Sequence, residues 1–214
     1  LSGLRTAADP LVIDRYDTVL GAPFDALVPE AVIRFGRYPV SKRATAFLAN
    51  AGAINIVVDP FETRDFNCAT DVHLRCTPLD FSQTMLAAKQ SLGGEDAADD
   101  RQSAFAAAWL EANAAAAVRV DAVDVVEAGF EGAFVRRVAE RAPEGSCLFA
   151  ANSMSVRALD TFYVKGGRRL TVLCNRGLNG IDGTVSTALG AAQHFEQTTL
   201  LTGHLTLLHD LNAL

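Results

Sequence analysis

The residues best suited to chemistry stand at the ends of two apolar runs. Asn152-Ser153 closes the run Cys147-Leu148-Phe149-Ala150-Ala151, and Arg176 follows the run Leu170 to Cys174. Arg157 lies one helical turn beyond Ser153, on the same face of a helix expected over Met154 to Phe162. If both runs are strands of an open α/β sheet, these residues face the crevice above the strand ends, where such sheets place ligands. A helix N-terminus with Ser and Asn beside it offers N–H groups to an anion. Two guanidinium forks add planar recognition of a carboxylate. The implied ligand is a small molecule carrying a carboxylate or a phosphate. The plainer alternative makes Ser153 an N-cap and leaves both arginines solvated, and spacing alone weighs the two readings about evenly.

After Arg176 comes Gly177-Leu178-Asn179-Gly180-Ile181-Asp182-Gly183, a turn-rich loop that opens a helix of small residues. Asp182 reads as a turn or capping residue. In the first half of the chain, Gly36-Arg37-Tyr38-Pro39-Val40-Ser41 leaves a strand, and Lys42 begins a helix. That cationic cluster either meets an anion or is solvated. His204 and His209 flank the last apolar segment without the i, i+4 spacing of a helical zinc site. His73 and His194 have no neighbours that suggest catalysis. There is no GxSxG, no Walker loop and no GxGxxG opening a βαβ unit.

The elements that must position these residues read as α/β. Ala31 to Gly36 is expected as a buried strand, Ser41 as the cap of a helix through Ala51, and Ile54 to Asp59 as a strand stopped by Pro60. That β-α-β order has a crossover long enough for a parallel pair. Leu11-Val12-Ile13 and the polar Asp14, Arg15 and Tyr16 look like a lead-in segment on the surface. A short strand over Val72 to Cys76 is followed by helices over Leu79 to Leu92 and Phe105 to Val118. The acidic stretch Gly93 to Asp100 between them reads as a loop, and Val118 to Ala128 as an irregular boundary. A helix with Phe130, Phe134, Val135 and Val138 on one face comes next. The strand Thr198 to Thr202 ends the α-β-α-β-α-β order of the second half.

The chain has 214 residues, half of them hydrophobic, and a formal net charge of −6. A substantial core is expected at this length. The charge and the lack of a basic stripe argue against nucleic acid as a partner. No apolar stretch is long enough to span a membrane, no leader pattern opens the chain, and a cytoplasmic location is the default. The four cysteines, Cys68, Cys76, Cys147 and Cys174, fit neither a zinc knuckle nor a CxxC motif, and buried thiols are expected. The start at Leu1 and the stop soon after a strand suggest a piece of a longer protein.

Several blocks together resemble the 2-succinyl-5-enolpyruvyl-6-hydroxy-3-cyclohexene-1-carboxylate synthase family, thiamine-diphosphate enzymes of menaquinone synthesis. The most specific is Asn175-Arg176-Gly177 to Gly190, with Ile181-Asp182-Gly183 and Ser186-Thr187-Ala188 inside it. Asn152-Ser153-Met154-Ser155-Val156-Arg157 is similar to the family's Asn-Ser-x-x-x-Arg segment. Val32 to Gly36, followed by Pro39-Val40-Ser41-Lys42, is similar to its middle-domain segment. Leu205 to Leu214, with His209-Asp210-Leu211-Asn212, is similar to the start of its cofactor-binding region.

The resemblance implies Rossmann-like parallel sheets flanked by helices. Residues 1–127 would be the central, transhydrogenase-like domain, and 128–214 the N-terminal part of the thiamine-diphosphate-binding domain. The glutamate that activates the cofactor would precede Leu1, so no catalytic residue is expected here and the chain alone would be inactive. The implied reaction decarboxylates 2-oxoglutarate and adds the succinyl carbanion equivalent to isochorismate. Lys42, Asn152, Ser153, Arg157 and Arg176 would bind substrate, while Ile181, Gly203, His204 and Leu205 would meet the cofactor. The resemblance also implies a homodimer or homotetramer. The family has a magnesium-ligating aspartate where this chain has His204. Imidazole suits softer metals than magnesium. That departure favours a second reading, a diverged relative serving assembly or small-molecule regulation.

Overall fold

The computed structural model describes residues 3–21, 25–91, 100–123 and 129–214. They fall into two compact units, Leu20–Glu111 on one hand and Leu1–Val19 with Ala112–Leu214 on the other. Each unit is built on a three-stranded parallel sheet with helices, the expected α/β class.

In the unit Leu20–Glu111, β1 (Ala31–Phe35), α1 (Lys42–Asn50), β2 (Ile54–Val58) and β3 (Val72–Leu74) follow one another, and β2 is the central strand. β1 pairs with β2 from Ala31 opposite Ile54 to Phe35 opposite Val58. The Ser41 hydroxyl accepts the Ala44 N–H at 3.0 Å, the bond that starts α1. β1 is not the buried strand expected from its apolar run. As an edge strand it alternates exposed and half-buried residues, whereas Val57 and Val58 of β2 are buried. α2 (Pro78–Ser91) buries none of its residues. α3 (Asp100–Asp121) carries Trp109, whose indole N–H donates to the Leu27 carbonyl at 3.2 Å and whose ring meets Phe47 edge-on at 6.0 Å. The loop expected between these helices lies outside the described residues, Asp100 apart. So do residues 124–128 of the boundary expected over Val118 to Ala128; its first residues are not irregular, because α3 continues through them to Asp121.

In the other unit the strand order is β5-β4-β6, with β4 (Cys147–Ala150), β5 (Thr171–Leu173) and β6 (Thr198–Leu201) all parallel. Every residue of β4 is buried, because it has a strand on each side and helices over it. Cys147, Phe149 and Ala188 form a core cluster, with Leu173, Leu200 and Phe195 packed on it. Cys68, expected to be buried, is exposed instead, since it lies in the polar stretch after β2. α4 (Glu131–Arg141) buries Gly132, Ala133, Val135 and Ala139, and Phe134 faces outward. Gly132 makes room for the close approach there: a Cβ would lie 2.1 Å from the ring of Phe162 on α5 (Met154–Phe162), which would have to shift. α6 (Thr184–Ala192) and α7 (His204–His209) complete the unit.

The lead-in segment is bound into this unit by polar contacts: Leu11 is exposed as expected, but Asp14 and Arg15 are buried rather than laid on the surface. Arg5 is buried against Asp160, with Nη2 3.2 Å from Oδ1, and it also donates to the Tyr163 carbonyl. The Tyr16 hydroxyl donates to the other oxygen of Asp160. Arg15, 2% exposed, donates its backbone N–H to Asn113 and a guanidinium N–H to Asp121. Asp14 accepts from Asn113 and from the Lys165 N–H. Burial by itself would raise the Asp14 carboxyl. Those two hydrogen bonds and the Arg15 charge outweigh it and hold the group below the usual carboxylate range.

Arg5→Ala should therefore cost about 3 kcal/mol, because it removes the cation that pairs with the buried Asp160 carboxylate. Urea unfolding followed by circular dichroism measures this. The stability owed to Asp14 is complete above the unfolded carboxyl value of 3.8 and is lost as pH falls through the lower folded value. Asp14→Asn should accordingly flatten the acid limb of a stability–pH profile.

Candidate functional site

Parallel strands send their following loops out at one edge. Here Ala151-Asn152-Ser153 leaves β4, Cys174 to Gly183 leaves β5, and Thr202-Gly203 leaves β6. Since β4 is central, its loop lies between the other two. The Ala151 N–H donates to the Leu201 carbonyl at 2.9 Å and carries the β4–β6 pairing to the rim.

Asn152, 4% exposed, binds the loop after β5 twice. Its amide N–H donates to the Gly180 carbonyl at 2.9 Å, and its Oδ1 accepts from Arg176 Nη1 at 3.1 Å. A buried amide needs partners for both ends, and these two satisfy it. Arg176 is half-buried, so its guanidinium is directed by Asn152 rather than swinging in solvent.

Ser153 is exposed and adopts φ 67° and ψ −129°, a conformation that suits glycine and costs other residues about 1–3 kcal/mol. It occupies the N-cap position of α5, but its hydroxyl makes no capping bond. Its carbonyl accepts from Arg157 Nη1 at 2.7 Å, so the arginine folds back one turn onto the strand end, as the spacing predicts. The turn closes with the Val156 N–H on the Ala151 carbonyl at 3.1 Å.

Arg157, Ser153, Asn152 and Arg176 thus form a connected set at one edge of one sheet. The set combines two cations with a hydroxyl that has no capping duty, a combination suited to a carboxylate. Ile181 is half-buried beside the fixed Gly180 carbonyl. Gly203, His204 and Leu205 are exposed where β6 gives way to α7. Lys42 belongs to the unit Leu20–Glu111 and is exposed at the first position of α1.

Two contacts escape a reading of spacing. His209 Nδ1 lies 2.7 Å from Asp182 Oδ1, and the Ser186 N–H donates to Asp210 Oδ2 at 2.8 Å. No local pattern signals pairs so distant in sequence. Among the described residues, no group of three or more His, Cys, Asp or Glu is placed to hold a metal ion.

No protein-family model matches the chain. It is 38% identical, over its whole length, to the 2-succinyl-5-enolpyruvyl-6-hydroxy-3-cyclohexene-1-carboxylate synthase of Desulfitobacterium hafniense. It is likewise 38% identical to the enzymes of that name from Geobacillus kaustophilus and Listeria monocytogenes. The chain spans 37–38% of the length of these three relatives. The resemblance carried by the short blocks therefore extends over the whole of this chain, which corresponds in sequence to part of a 2-succinyl-5-enolpyruvyl-6-hydroxy-3-cyclohexene-1-carboxylate synthase.

Proposed function

We propose that the chain supplies the carboxylate-binding side of a thiamine-diphosphate-dependent synthase that decarboxylates 2-oxoglutarate and adds the succinyl unit to isochorismate. The observation that carries this reading is the set Arg176–Asn152–Ser153–Arg157 at the carboxyl edge of β4 and β5. Both substrates are carboxylates, and a guanidinium answers a carboxylate with paired hydrogen bonds and charge. Arg157 and Arg176 hold carboxylate groups, Ser153 donates its hydroxyl, and Asn152 fixes the direction of Arg176. Lys42 meets the isochorismate. Residues 1–127 serve as the central domain and 128–214 as the first part of the thiamine-diphosphate-binding domain. The working protein is a cytoplasmic homodimer or homotetramer. Among the described residues no helix is long and apolar enough to cross a membrane.

Thiamine diphosphate, when bound, supplies the electron sink for loss of carbon dioxide. The half-buried Ile181 fits an apolar contact with it, and Gly203 and Leu205 leave exposed surface beside His204. Magnesium fits poorly: it wants hard oxygen ligands, and the position after Gly203 offers an imidazole. Asp182 and Asp210 are already engaged with His209 and Ser186. His204 is also what favours the second reading, a diverged relative without catalysis.

One assay separates the two readings. The full-length protein is mixed with thiamine diphosphate, magnesium, 2-oxoglutarate and isochorismate. Carbon dioxide release with adduct formation supports the synthase. Neither product, with no cofactor binding by calorimetry, overturns it. Arg157→Ala and Arg176→Ala should each lower kcat/KM by an amount equivalent to about 1.5–3 kcal/mol of lost transition-state stabilisation, the size of one charge-assisted hydrogen bond, with the circular dichroism spectrum unchanged. Ser153→Gly should pull the two properties apart. It relieves the backbone and raises unfolding stability by about 1 kcal/mol, yet it raises KM for 2-oxoglutarate because the hydroxyl is gone.

A further inference from the structure

The helix that leaves the arginine loop cannot cap itself. α6 starts after Gly183, which has φ 66° and no side chain to accept one of the first N–H groups. Those groups need acceptors. An N-cap side chain would take the N–H of the second or third helical residue. Here the third residue is Ser186, and its N–H goes to Asp210, just beyond α7, at 2.8 Å. The Ser186 hydroxyl lies 3.2 Å from both oxygens of the same carboxylate. A negative group at a helix N-terminus is also favoured by the helix dipole.

The same turn holds both ends of the loop. Asn175, next to Arg176, donates to the Thr187 hydroxyl at 3.3 Å, and that hydroxyl donates to the Gly183 carbonyl at 2.6 Å. Asp182 pairs with His209, the residue before Asp210. Both partners of that pair are largely exposed, so by itself it contributes little. The half-buried Asp210 carries the larger share.

We propose that Asp210 is a positioning residue for the substrate site. It caps α6 from another segment, and through that turn it holds the loop Asn175 to Gly183, and with it Arg176, in place. The effect on substrate rests on the synthase reading. The effect on the loop does not, and the two are measured separately.

The test uses the full-length protein with Asp210→Ala and Asp210→Asn. Amide hydrogen exchange should quicken in Asp210→Ala by on the order of fivefold at 184–187 and through the loop 176–182, the size expected for a lost cap. Strands β4, β5 and β6 should keep their protection. Asp210→Asn, which retains an acceptor for the Ser186 N–H, should restore most of it. In turnover, Asp210→Ala should raise KM for 2-oxoglutarate while kcat stays within about twofold, the mark of a lost binding geometry. Unchanged exchange at 176–187, or a rise spread equally over the three strands, overturns the proposal. If the unsubstituted protein has no turnover, the synthase reading fails and the exchange result alone decides the capping role.

Discussion

A buried amide that must satisfy both of its ends is the constraint on which the site depends. Asn152 sits at the mouth of the central strand, where water cannot complete its hydrogen bonds. It therefore draws in the Gly180 carbonyl on one side and the Arg176 guanidinium on the other. Those partners stand at separate points of one long, glycine-rich loop. One side chain thus ties together two separate points of the loop, one of them the charged group. The central place of β4 makes this possible, because only a middle strand delivers its loop between two others.

Around that amide the local rules of helix and turn are broken in two places. Ser153 takes a backbone conformation proper to glycine and leaves its capping duty undone. Gly183 stands where a capping side chain would be, and a carboxylate from elsewhere does the work. Local preference and global structure usually agree in natural proteins, and departures gather at functional or strained sites. Both departures here lie within the segments that hold the two arginines.

The strands, most helices and the carboxyl-edge placement of Asn152, Ser153, Arg157 and Arg176 were legible in the sequence. Apolar runs bounded by turn residues mark strands, and a fixed period places Arg157 over Ser153. Long-range polar partners were not legible. The run Asp14-Arg15-Tyr16 reads as surface by residue type, yet Arg15 and Asp14 are buried because Asn113, Asp121 and Lys165 answer them. Phe134 fits the apolar spacing of α4 yet faces outward, since the close contact with α5 is made through Gly132, which has no side chain to contribute to a hydrophobic pattern. β1 reads as buried but is half exposed, because an apolar run does not say whether its strand has one neighbour or two.

The interleaving of the two units bears on how the protein is made. Leu1–Val19 is synthesised before its partners Asn113, Asp121, Asp160, Tyr163 and Lys165, which follow only after the whole of Leu20–Glu111. The inserted unit has its own sheet and meets its contacts in order as it emerges. The unit that bears the arginines must instead close a long loop before its first segment finds a place. Such closure is slow, and the segment that waits carries charged groups, Arg5, Asp14 and Arg15, that stay soluble while exposed. Their polarity, awkward in a finished core, suits a strand of chain that spends its early life in water.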